Sequence, residues 1–209
     1  MNYTKSLVGV LAALAVSSCM FGQSNPAVGS NAGLLGQRYA GAGLLVEDFR
    51  DSPLANGLGP ELVVNLPVAP KVDLAFAYNY ERSSNASYKL KEQAIGATVR
   101  AYNPYEGVRL FSDATVGHAW VKARALGTRW SEDEAFWALG VGVEAPVGPS
   151  TALVGRIAYN DLFSSGDNGT WTFTGGVNHW FTPQVFGTAS VTLVEKDAVV
   201  YGVGLGLRF

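Results

Sequence analysis

Two histidines, His118 and His179, and a single cysteine, Cys19, are the side chains best suited to nucleophilic or acid–base chemistry. A hydrolytic site needs a histidine base beside a serine, a cysteine or an activated water, with an acid to orient the ring. His118 follows Asp113 at an odd spacing, so on a strand the two point to opposite faces. His179 adjoins Trp180 and, like His118, has no serine or acid at productive spacing. Both read as ring residues at an interface. Glu132, Asp133 and Glu134 form an acidic run that reads as a solvated loop. Beyond Cys19 the chain has no cysteine for a disulfide or a thiolate metal site. The 25 glycines alternate with larger residues instead of forming a phosphate-binding loop. The expectation is therefore a non-enzymatic protein with no metal and no cofactor.

The remaining chemistry is ionic. Asp73, Arg100, Arg109, Asp113, Glu144, Arg156 and Arg208 are scattered in sequence, yet each falls on the polar side of an alternating stretch. Charges can gather that way only if the stretches are strands sharing one enclosed face. Alternation predicts strands at about 37–49, 59–68, 71–82, 89–102, 108–121, 135–145, 151–163, 170–180, 185–194 and 199–209. Their connections alternate between two kinds. One is short and carries proline: Val68-Ala69-Pro70, Asn103-Pro104, Pro146-Val147-Gly148-Pro149 and Thr182-Pro183. The other is more polar and covers 50–58, 83–89, 122–134, 164–169 and 195–198. A run of hairpins with tight turns at one end and polar loops at the other is the plan of a membrane barrel.

Composition agrees. The chain is 48% hydrophobic and only 15% charged, against about a quarter for soluble domains. A net charge of −2 leaves no footprint for nucleic acid. The apolar strand faces include Val72, Leu74, Phe76 and Tyr78, or Trp137, Leu139, Val141 and Val143, and the opposite faces hold glycine, threonine and charge. An arginine or lysine at the bilayer midplane costs about 2–4 kcal/mol, so the charged face must be the lumen. Tyr78, Tyr80, Trp120, Trp137, Tyr159 and Trp171 then fall near one end of their strands, as an aromatic belt. A soluble sandwich would need a far more polar second face than these glycines provide.

The terminal strand sharpens the reading. Tyr201, Val203, Leu205, Leu207 and Phe209 share one face, and Gly202, Gly204, Gly206 and Arg208 the other. This tail resembles the C-terminal assembly signal of bacterial outer-membrane β-barrels, and the chain as a whole resembles the small porin-like and OmpA-like barrels of Gram-negative envelopes. The resemblance implies an all-β, transmembrane, antiparallel up-and-down barrel of about ten strands, with eight as the alternative. It also implies recognition by the barrel assembly machinery, and contact with outer-membrane lipids and lipopolysaccharide.

Residues 1–22 read as a signal peptide, with Lys5 before an apolar run from Leu7 to Val16 that is too short to span a bilayer. Val16-Ser17-Ser18-Cys19 also resembles a lipobox, which makes Cys19 a candidate lipidation site. Ordinary cleavage is the expectation, because a closed barrel needs no acyl anchor. Residues 23–36 read as a flexible periplasmic lead-in and 37–209 as the barrel. Bulky and charged luminal residues gather toward the proline turns, and small ones toward the outer loops. Two readings follow: a lumen plugged by paired charges, or a cup open to the outside that holds a ligand or gates a narrow channel. The expected role is a structural or narrow porin-like envelope protein. The alternatives are a surface-recognition or ligand-binding barrel, and a lipid-modifying hydrolase. Lys122, Arg124, Arg129 and Trp130, with Arg82, Lys89 and Lys91, are candidates for lipopolysaccharide phosphates. The sequence leaves the oligomeric state open.

Overall fold

The computed structural model describes residues 32–49, 56–84, 88–125, 128–164, 169–195 and 198–209. The signal peptide, Cys19 and residues 23–31 of the lead-in lie outside the described residues. Ten strands follow one another: β1 (Tyr39–Phe49), β2 (Gly57–Ala69), β3 (Val72–Ser84), β4 (Tyr88–Tyr105), β5 (Val108–Ala125), β6 (Thr128–Pro146), β7 (Thr151–Leu162), β8 (Thr170–Trp180), β9 (Val185–Val194) and β10 (Ala198–Arg208). Each pairs antiparallel with its sequence neighbours, and β1 pairs with β10 to close the barrel. Closure gives every strand two partners, so no edge is left unpaired. The chain is thus an all-β, up-and-down barrel of ten strands, not eight.

The faces follow the alternation. Leu139, Val141, Leu153, Phe173, Val203, Leu205 and Leu207 lie exposed on the outer wall, about half to three-fifths accessible. An apolar surface this continuous is not a water-facing surface and must meet lipid. Strands of about 9–11 residues cross a bilayer. β7 to β10 have 12, 11, 10 and 11 residues and little more than span it. β4, β5 and β6 run to 18, 18 and 19 residues and continue well beyond.

That extension corrects the loop assignment. Residues 122–134 were expected as a loop, but β5 and β6 pair through Ala125 and Thr128. The acidic run and the basic residues of this stretch are strand residues, because the alternation simply becomes polar above the bilayer. Similarly, β3 and β4 remain paired out to Ser84 and Lys89. Asn103 and Pro104, expected as a turn, lie within β4. The reversal comes at Glu106 and Gly107, both left-handed (φ 45° and 86°). A two-residue loop with positive φ at both positions has the twist that joins antiparallel strands.

Large and small side chains interlock inside the barrel. A Cβ at Gly117 would overlap the Phe136 ring, one at Gly142 the Phe111 ring, and one at Gly206 the Phe186 ring. The luminal glycines are the recesses into which these rings pack. Leu45, Phe49, Leu90, Phe136, Leu162 and Val200 belong to one buried apolar cluster in the half away from the proline turns. Small side chains were expected to line that half. Ala94, Ala119, Ala138 and Ala158 do line it, but the larger residues, although within the predicted strands, fill the space between them. A cavity of about 20 Å³ among Leu45, Glu61, Val154, Asn178 and Thr192 has room for about one water.

Candidate functional site in the barrel lumen

The polar lumen is divided into groups. Asp113 on β5 lies between Arg100 of β4 and Arg156 of β7. Arg156 donates two parallel hydrogen bonds to it, Nε to Oδ2 at 2.9 Å and Nη2 to Oδ1 at 2.6 Å. Arg156 reaches across β6 because residue 140 is glycine; a Cβ there would come within 2.7 Å of both partners. Arg100 sits 3.6 Å from Asp113 and stacks over the Phe111 ring, its guanidinium carbon 4.9 Å from the centroid. Two guanidiniums around one carboxylate, all three buried, form a fixed cross-brace across four strands.

A second group lies nearer the proline turns and holds a segment of main chain. The Leu34 N–H donates to Glu144 Oε2 at 2.7 Å, and Arg109, itself 2.6 Å from Glu144, donates to the Leu35 carbonyl at 3.2 Å. The Gly36 N–H donates to Asp73 Oδ2 at 2.9 Å. The side chains of Arg208 and Asn65 bind Gln37, at its amide oxygen and its main-chain carbonyl respectively. Leu35 packs against Phe111, Val154 and Tyr102, and Leu34 against Tyr39, Val63, Phe186 and Trp180. The lead-in thus ends inside the barrel mouth, with Ala32, Leu34 and Leu35 almost wholly buried. Gly33 and Gly36 allow this thread. Side chains there would strike Arg109 and Glu144, or the Tyr102 hydroxyl, and Gly36 is left-handed at φ 89°.

The shortest contacts of the seven luminal charges fall in subsets, and Asp73 and Arg100 are in addition direct cross-strand partners. Arg100, Asp113 and Arg156 meet; Arg109 meets Glu144; Asp73 and Arg208 each bind the inserted segment. Arg208 lies apart at the rim, under Trp180. Sequence reasoning missed Leu34 to Gln37 as partners. The one local signal was a pair of leucines framed by Gly33 and Gly36 in a segment otherwise poor in large apolar residues.

The belt residues lie on the outer wall, with Trp137, Tyr159 and Trp171 in ring contact at 5.8 and 5.3 Å. Tyr201, Val203, Leu205, Leu207 and Phe209 face outward along β10 and just beyond, at the closing seam. His118 also faces outward. Its Nε2 is 3.3 Å from Asp133 and its ring is 4.6 Å from Trp120. This pair was not anticipated, because Asp133 was assigned to a loop. The flanking positions on that face are Val116, Trp120, Ile95 and Ala135, none of which offers a nucleophile. His179 accepts or donates a 2.9 Å hydrogen bond with Thr151 and packs on Phe181.

The basic residues are ordered by register. Arg82, Lys91 and Lys122 are direct neighbours across β3, β4 and β5, and Lys89, Arg124 and Arg129 across β4, β5 and β6. All six are exposed on the outer face, the first three one same-face step above the row of Tyr80, Gln93 and Trp120 and the other three two steps above it. Trp130 instead turns inward against the apolar cluster and the Tyr88 ring.

No family model matches the chain, and no curated protein matches it. Solved structures do. The translocator domain of the autotransporter NalP from Neisseria meningitidis is similar over 100% of this chain and 98% of that one, at a TM-score of 0.62 and 10% identity. Neisserial surface protein A covers 82% of this chain and 97% of its own at TM-score 0.46 and 15% identity. The KdgM porin covers 81% and 99% at TM-score 0.43 and 10% identity. The closed meander and the likeness in fold to the NalP translocator domain show that this chain is a ten-stranded, up-and-down antiparallel β-barrel.

Proposed function

We propose that this chain is an outer-membrane barrel that acts as a closed, structural envelope protein and not as an open pore. The observation that carries this reading is the segment from Leu34 to Gln37, its main chain bound across the mouth by Glu144, Arg109, Asp73 and Asn65 and its Gln37 side chain by Arg208. Charges in a membrane interior persist when paired, and here the pairing also ties down a plug. The test is planar-bilayer recording of the purified full chain. Wild type should give no stable conductance, whereas Glu144→Gln with Asp73→Asn, which weakens the hold on Leu34 and Gly36, should give small intermittent steps. A steady wild-type conductance overturns the reading.

A specific observation favours a second role, binding of lipopolysaccharide. Like charges placed directly opposite on neighbouring strands destabilise a sheet unless anions lie over them. The six cations of β3 to β6 stand in two such rows just above the aromatic row, at the height where lipid phosphates lie. The double variant Lys91→Glu with Lys122→Glu should retain severalfold less lipopolysaccharide through purification in mild detergent. Equal retention removes this role.

A further inference from the structure

Three buried glutamates converge in the half of the lumen away from the proline turns. Glu47 of β1, Glu81 of β3 and Glu92 of β4 each bring a carboxylate oxygen within 4.8 Å of the other two. They are at most 2% exposed. Glu81 and Glu92 are direct cross-strand partners, and Glu47 reaches them over β2. It can do so because its partner on β2 is Gly57; a side chain there would occupy the place of the Glu81 carboxylate. The gap opened by glycine is thus filled by acid oxygens from three strands.

The surroundings offer little to balance them. Leu45, Leu90 and Val200, each buried, lie one inward position below Glu47, one above Glu92 and opposite Glu47. The buried cations among the described residues are Arg100 and Arg156, and both are committed to Asp113. Arg100 lies eight residues down β4 from Glu92, about 26 Å at the rise of a strand. Independently of the clustering, Glu92 Oε1 is buried and has no hydrogen-bond partner among the described residues. Nor has either amide atom of Asn79, which sits one inward position below Glu81. A buried oxygen left without a donor, facing other carboxylates, calls for a positive ligand.

We infer that Glu47, Glu81 and Glu92 form a divalent-cation site within the barrel wall, and that the ion is calcium. Three carboxylates supply up to six oxygens and no nitrogen or sulfur, a hard donor set that excludes the usual zinc arrangement. Calcium accepts six to eight oxygens in flexible geometry and takes carboxylates in bidentate fashion, whereas magnesium demands near-ideal octahedral geometry and gives up its waters reluctantly. The ion would tie β1, β3 and β4 together just inside the aromatic row, a second brace above that of Asp113.

The test uses the full mature chain, refolded in zwitterionic detergent free of lipopolysaccharide and stripped with a chelator. Calorimetric titration with calcium chloride should give one site per chain, and calcium should raise the thermal unfolding temperature. Glu81→Gln and Glu92→Gln should each weaken binding by about tenfold or more, whereas Asp48→Asn, on the exposed face beside Glu47, should leave it unchanged. Folding of each variant is checked by heat-modifiable migration on gels. If a glutamine variant fails that check, Glu92→Asp keeps the charge, shortens the arm and should still weaken binding about tenfold. Absence of calcium binding by wild type, or affinity unaltered in the folded variants, overturns the inference.

Discussion

Arg156→Ala tests the luminal brace most directly. Both hydrogen bonds from Arg156 to Asp113 vanish, and the carboxylate remains buried with only Arg100, at 3.6 Å, to offset its charge. Removing one partner of a buried ion pair costs about 3–5 kcal/mol, mostly from the charge left behind. Because Arg100 stays, the lower end applies: about 3 kcal/mol, or more than a hundredfold in the unfolding equilibrium. Urea unfolding in phospholipid vesicles, followed by tryptophan fluorescence, measures it. The double variant Arg156→Met with Asp113→Asn should regain part of the loss, since no buried carboxylate then lacks its partner and Arg100 keeps Asp73 as its cross-strand neighbour. A single-variant loss under about 1 kcal/mol, or a double variant worse than either single one, would refute a brace made by charge pairing.

Two further outcomes follow from the packing and the seam. Gly117→Ala should destabilise the barrel by about 1–3 kcal/mol, because its Cβ overlaps the Phe136 ring and the main chain opposite; a neutral result in the same urea assay would mean that the ring moves freely. Deleting Phe209 should cost only about 1 kcal/mol of folded stability, the contribution of the hydrogen bond its N–H donates to the Arg38 carbonyl at the seam, since β10 itself ends at Arg208. The same deletion should cut the amount of assembled barrel in cells severalfold, and undiminished assembly would show that the terminal ring is not read by the assembly machinery.

Much of the fold was legible because a barrel wall has two solvents. Lipid outside and a packed polar lumen inside impose a period of two on every strand, and that period needs no knowledge of partners. It assigned Leu139 and Val203 outward and Asp73, Arg100 and Glu144 inward, as found. It failed where the outer solvent changes. Above the bilayer, β5 and β6 expose Lys122, Arg124 and Arg129, and a polar outer face in an isolated sequence is indistinguishable from a loop. Asp133 was lost with that stretch, and with it the pair to His118.

The candidate sites were less legible than the wall. Arg156 and Asp113 are 43 residues apart, and Leu34 and Glu144 are 110 apart. Local spacing carries no record of such contacts. The glycines are the clearest case: Gly140 reads simply as a small luminal residue and Gly57 as part of a loop, but their role is to let a neighbour's side chain pass over them. The sequence by itself determined the strand periodicity, the direction each side chain points and hence the separation of lipid from lumen, because these depend only on alternation along one chain. Only the tertiary structure decided strand register and closure, which join Asp113 to Arg156, thread Leu34 into the mouth and bring Glu47, Glu81 and Glu92 together. Those contacts depend on the height at which each strand sits beside the next, a quantity set by all ten strands at once.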